Sequence, residues 1–135
     1  MAPQADPDDS LARQLRALRD SYLAELPDRL EALAVAWSTA LEGERGAVAR
    51  LRQLVHGLAG SGAVFGCREI STAAAAVERR LDELLDAGST SAADLLPLAP
   101  QLDQLASIGW RYASNRSTAE QTSATSSDSS RPSSA

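Results

Sequence analysis

The chain has 135 residues, a formal charge of −5 and 44% apolar residues, the size and make-up of one modest globular domain. All its basic residues are arginine, and the acidic balance argues against a general nucleic-acid role, because nothing draws such a chain to a phosphate backbone. A lone cysteine, Cys67, leaves no internal disulfide and no support for a thiolate metal site, and no apolar run approaches the ~18–20 residues that span a bilayer. The acidic N-terminus "MAPQADPDDS" has no apolar stretch of the kind a signal peptide carries, so a cytoplasmic location is expected.

Aromatic residues are sparse, so leucine and alanine must fill the core, which favours helices over sheets. Residues 1–9 read as a flexible arm, and "DDS" at 8–10 offers cap side chains to the first helix. Leu11, Leu15, Leu18 and Tyr22 recur at spacings of three and four, and the same face continues through Leu26, Leu30, Leu33 and Trp37. Pro27 interrupts this pattern and either kinks one long helix or starts a second. The reading adopted is a short extra N-terminal helix, then a second helix to about Leu41. A third helix is expected from about 45 to 64, with Leu51, Leu54, Val55, Leu58 and Phe65 as its apolar stripe and Gly66 at its close.

Another helix should cover about 68–87, with Ile70, Ala74, Val77, Leu81 and Leu84 inside and Gly88 as its C-cap. "STS" at 89–91 caps a last helix marked by Leu95, Leu98, Leu102, Leu105 and Tyr112, whose first turns Pro97 and Pro100 make irregular. From Ser114 the chain is serine-rich with almost nothing to bury, and reads as a disordered tail or linker over 114–135. The expected fold is all-α, an antiparallel four-helix bundle over 10–113.

The stretch "LVHGLAGSGAVFGCREI" at 54–70 holds the only histidine, His56, among several glycines. A dinucleotide-binding turn needs a strand before its glycines, whereas the residues before these have helical spacing; a Walker loop needs a lysine, and the chain has none. The glycines therefore lie in or at the end of a helix, where each costs about 0.8–1 kcal/mol relative to alanine. Gly62 falls on the apolar side and suits a close helix crossing. On a helical wheel with Leu51 at the origin, the stripe lies within roughly 60°, His56 falls near ~140° and Gly60 near ~180°. His56 is thus off the core face, with Gly60 one turn later leaving the ring open to a large partner and Arg52 one turn earlier.

No second histidine stands three or four residues away, and no carboxylate pairs with His56 in sequence; Glu69 is at most a spatial neighbour. Ser61 is placed roughly 140° around the helix, wrong for a nucleophile–base pair. The bland reading of His56 is a solvated surface residue. The chemical reading needs only its exposed ring, since a neutral imidazole nitrogen attacks an activated phosphoryl group.

"VHGLAGSGAVFGCREIS" at 55–71 resembles the signature of histidine-containing phosphotransfer (HPt) domains, through His56, Leu58, Gly60, Ser61 and Gly66. The upstream "YLAELPDRLEALAVAW", with its proline, and the downstream "AAAAVERRLDELL" extend the resemblance over about 10–113. It implies a four-helix bundle in which His56 is the phosphoacceptor and exchanges a phosphoryl group with an aspartate of a response-regulator receiver domain, supplied by that receiver or a hybrid histidine kinase. It also implies that Mg²⁺ belongs to the receiver, that this chain binds no cofactor or metal of its own, and that Gly60 lets the partner approach. A monomer that meets neither nucleic acid nor membrane is expected, a phosphocarrier rather than an enzyme in the ordinary sense.

One departure stands out: the family's usual lysine three residues after the histidine is Ala59 here. Arg52 either replaces that cation, since arginine can hold a phosphate with two donors, or is only a solubilising charge. Ala59 keeps a second function in view, an HPt-like interaction module that binds a receiver or other partner without phosphotransfer. Cys67 reads as a small packing residue rather than a reactive thiol.

Overall fold

The computed structural model describes residues 7–128, with side chains described from 9 to 115. Five helices follow in order: α1 (Pro7–Leu41), α2 (Ala47–Val64), α3 (Arg68–Ala87), the short α4 (Ala92–Leu95), a 3₁₀ turn (Leu96–Leu98) and α5 (Ala99–Asp128). Among the described residues there is no strand. α2 packs between α1 and α3, and α5 closes the ring against α3 and α1, so the four long helices form an antiparallel bundle.

No separate N-terminal helix forms. α1 is one rod of 35 residues that passes straight through Pro27. The reason lies in the core stripe, which is unbroken across the proline: Tyr22, Leu23, Leu26, Leu30, Leu33, Ala36 and Ala40 are all buried. Proline costs about 3 kcal/mol inside a helix, whereas burying each leucine side chain stabilises by about 1.5–3 kcal/mol. Breaking the rod would misalign the leucines on both sides of Pro27, so burial wins.

The N-terminal end of that stripe runs past the end of α2. Leu11, Leu15 and Leu18 keep the phase of the core face but remain just over half exposed, because α2 has already ended beside them. The Arg19 side chain donates to the Phe65 carbonyl at 3.1 Å, which marks where α1 passes the end of α2.

The α2–α3 turn is built on Gly66, whose φ of 75° lies in the left-handed region that glycine adopts without cost. The Cys67 amide reaches back to the Gly62 carbonyl at 2.8 Å and so satisfies a helix-end acceptor. Gly62 also makes the helix crossing possible: a Cβ there would lie 2.9 Å from the Ser71 amide nitrogen and 3.1 Å from the Cys67 carbonyl oxygen. Both are backbone atoms and cannot step aside. By contrast, Gly57 and Gly60 face open space.

Ser91 caps α4 in a reciprocal box with Asp94. Pro97 is accommodated in the 3₁₀ turn and Pro100 in the first turn of α5, where amide donors have no helical acceptor to lose. Among the described side chains of α5, Ile108 is the last buried apolar one, with Tyr112 and Ala113 half-buried against the core. The α5 backbone, however, is helical to Asp128, past the expected boundary at 113. No glycine or proline falls between Gly109 and Pro132 to stop it sooner. Residues 1–6 of the expected arm and 129–135 of the expected tail lie outside the described residues.

These glycines should respond in opposite directions to alanine. Gly60→Ala and Gly57→Ala are expected to raise stability by up to about 1 kcal/mol each. Gly62→Ala is expected to lower it by about 1–3 kcal/mol through overpacking against backbone. Urea denaturation of the three variants measures all of these.

Candidate functional site

His56 lies in the middle of α2, held by core neighbours on either side: Leu51 and Val55 are fully buried and Leu58 nearly so. Its own side chain is 65% exposed. The face that continues from it toward the end of α2 carries Gly57, Gly60 and Val64, the last 72% exposed, so the ring stands beside bare backbone and a small apolar surface. A histidine on such a helix is fixed in direction by the bundle and open to a large partner.

The ring is not alone. Its Nδ1 lies 2.7 Å from Oε2 of Glu78, on α3. An ionised carboxylate only accepts, so Nδ1 carries the proton in this bond. In the neutral ring the lone pair is then on Nε2, the nitrogen turned away from α3. Glu78 is the more sheltered member of the pair, with a side-chain exposure of 17%.

Arg52, one turn before His56, also faces α3. Its Nε donates to Oδ1 of Asp82 at 2.9 Å, and its Nη2 lies 3.3 Å from the same Glu78 Oε2 that accepts the His56 hydrogen bond. The guanidinium thus already engages two carboxylates. Ala59 is half-buried against the core, and its carbonyl accepts the Ser71 hydroxyl at 2.7 Å. Gly60 remains fully open.

The other sequence candidates separate from His56. Ser61 donates its hydroxyl to the Gly57 carbonyl at 2.7 Å, an i→i−4 bond within α2. Glu69, in the first turn of α3, faces Arg111 of α5 at 3.5 Å. Glu78 and Asp82 escaped the sequence reading because they lie on the next helix, yet a signal was present. With Gly62 set against Ser71, antiparallel pairing brings His56 level with Val77 and Glu78. Arg52 and His56 are four residues apart, as are Glu78 and Asp82, so two cation-capable positions face two acids.

Beneath this face, Tyr22 of α1 stacks on Phe65 with ring centroids 5.0 Å apart. Burial pushes the Tyr22 phenol above its ordinary value, and the neighbouring Ser61 side chain opposes the shift. The hydroxyl has no hydrogen-bond partner within ordinary geometry. Cys67 is fully buried at the α2–α3 turn, and burial pushes its thiol up against the pull of Arg19, which fits a packing residue rather than a nucleophile.

The family model for the Hpt domain matches residues 17–108. The chain belongs to the Hpt domain family. No curated protein and no solved structure matches it significantly. Hpt domains are histidine phosphocarriers rather than enzymes, and they interact with receiver domains and kinases. The match starts within α1, beyond Leu11 and Leu15, and ends at Ile108, so it covers the packed bundle and leaves out the exposed start of α1. Among the described residues of this Hpt domain, no helix is long and apolar enough to cross a membrane.

The buried phenol makes a prediction about alkaline stability. Above its ordinary value of 10.0 the unfolded chain loses the Tyr22 proton while the native protein keeps it. The native state then binds more protons, so stability falls as pH rises through this range. Tyr22→Phe should flatten that fall above pH 10. At pH 7 it should be at least as stable as the native protein, because a buried hydroxyl without a partner is removed. Thermal melts across pH measure both.

Proposed function

We propose that this Hpt domain is a phosphorelay carrier and that His56 is its phosphoacceptor. The supporting observation is the ring itself: exposed on a rigid helix, with Nδ1 bonded to Glu78 and Nε2 thereby left free, on a helix whose Gly57 and Gly60 put no side chain in the way. Nε2 attacks the phosphorus of a receiver's aspartyl phosphate. The new P–N bond forms as the P–O bond breaks, and the aspartate carboxylate leaves with the electron pair. The ring gains positive character as it bonds to phosphorus, and the Glu78 carboxylate against Nδ1–H stabilises that charge. Return of the phosphoryl group to an aspartate reverses the same steps. The Mg²⁺ that neutralises the phosphoryl oxygens would be held by the receiver's carboxylates, and the relay would run in the cytoplasm with this chain as a monomer.

A second reading, an interaction module without phosphotransfer, is favoured by one observation. Ala59 offers no cation, and Arg52 is engaged by Glu78 and Asp82 rather than turned toward the outer edge of the ring. For a relay, the same feature favours a phosphoryl group that is passed on over one that is stored.

The test is phosphorylation with a small-molecule phosphoramidate, followed by intact mass. The expected product is a single acid-labile phosphoryl adduct on the native protein and none on His56→Gln. Receivers offered with Mg²⁺ should remove it. Gly60→Arg should slow transfer to a receiver by about tenfold or more, as a side chain driven into the centre of a docking surface does, with small-molecule phosphorylation little changed. No adduct on folded native protein would favour the interaction module.

A further inference from the structure

The arrangement of Arg52 raises a question of role. If it served as a direct ligand of the phosphoryl group, its guanidinium would have donors turned toward the free nitrogen of His56. Instead, the Nε and Nη2 donors, which lie along one edge of the planar group, straddle two carboxylates of α3, Asp82 at 2.9 Å and Glu78 at 3.3 Å. Glu78 Oε2 is shared: it forms an ion pair with Arg52 Nη2 at 3.3 Å on one side and accepts the hydrogen bond of His56 Nδ1 at 2.7 Å on the other. Of the four side chains Glu78 is the most sheltered, at 17% against 65% for His56, 36% for Arg52 and 45% for Asp82. A sheltered carboxylate has few ways to be solvated and takes its orientation from its donors.

We infer that Arg52 is a positioning residue that acts through Glu78, with Asp82 holding Arg52 in place, and that this four-residue ladder between α2 and α3 fixes the tautomer and direction of the His56 ring. Asp82 orients the guanidinium, the guanidinium pins the oxygen of Glu78, and that oxygen keeps the proton on Nδ1 and the lone pair on Nε2. Lysine at 52 would retain the charge but could not span both acids from one planar edge. The inference deepens the carrier reading and depends on it for its purpose, but its test does not require phosphotransfer.

The tautomer is read directly from the ¹⁵N shifts of the His56 imidazole, at a pH where the ring is neutral. The native protein is expected to show mainly the Nδ1–H form. Glu78→Ala should lower the ratio of Nδ1–H to Nε2–H by about tenfold, the value of one charge-assisted hydrogen bond. Arg52→Gln and Asp82→Asn should each lower it by about threefold, as partial losses of the same restraint. Arg52→Lys should fall between native and Arg52→Gln. A native-like tautomer ratio in folded Arg52→Gln and folded Asp82→Asn would overturn the inference. So would a native-like ratio in Arg52→Gln combined with faster hydrolysis of its phosphohistidine, the mark of a direct phosphoryl ligand. Should Arg52→Gln fail to fold, Asp82→Asn, which leaves the guanidinium and Glu78 intact, decides alone. Failure of the native protein to accept a phosphoryl group, with the tautomer shifts as expected, would remove the carrier reading and leave the ladder standing.

Discussion

The close crossing of α2 and α3 at Gly62 is the constraint on which the site depends. A side chain at that position would meet backbone of the facing helix, so the absence of one lets the two helices approach and sets their register. Register determines which residue of α3 stands opposite His56. A small change in the crossing would slide Glu78 away from the ring and Asp82 away from Arg52, and a hydrogen bond of 2.7 Å tolerates little of that. The proposed phosphoacceptor is His56, but a glycine six residues later decides what the other side of its ring meets.

The glycines of this helix divide their roles by the side they face. Gly62 serves the interior and brings two helices together. Gly57 and Gly60 serve the exterior and leave the area beside the ring flat. Their cost to helix stability is the same in kind, but only the inward one is repaid by packing. The outward ones leave the helix surface low beside the ring, as the proposed docking of a receiver requires.

Much of the architecture was legible in the chain because its signals are local. The stripe Leu51, Val55 and Leu58 places His56 on the outside by arithmetic alone, and Gly66 and Gly88 mark turns through their backbone freedom. Errors arose where tertiary burial overrode a local rule or where a partner lay on another helix. Pro27 looks like a boundary until the leucines on both sides are seen to share one core face. Leu11, Leu15 and Leu18 look like core until the neighbouring helix is found to end before reaching them. Arg52 stands one turn before the histidine in the sequence, yet the direction of its guanidinium depends on two acids of α3, which only the register reveals. The extended end of α5 follows from helix continuity without a stop signal, a weaker influence than burial and one that composition masks.

The site is also local in sequence. His56 and Glu78 are separated only by the end of α2, a short turn and the first half of α3, so bringing them together closes one small hairpin. Loop-closure entropy grows slowly with length and is modest here. The ladder can therefore assemble as soon as that hairpin docks, without waiting for the distant ends of the chain to meet. The start of α1 and the far end of α5 supply none of the four side chains of this ladder, so fraying there leaves its contacts in register.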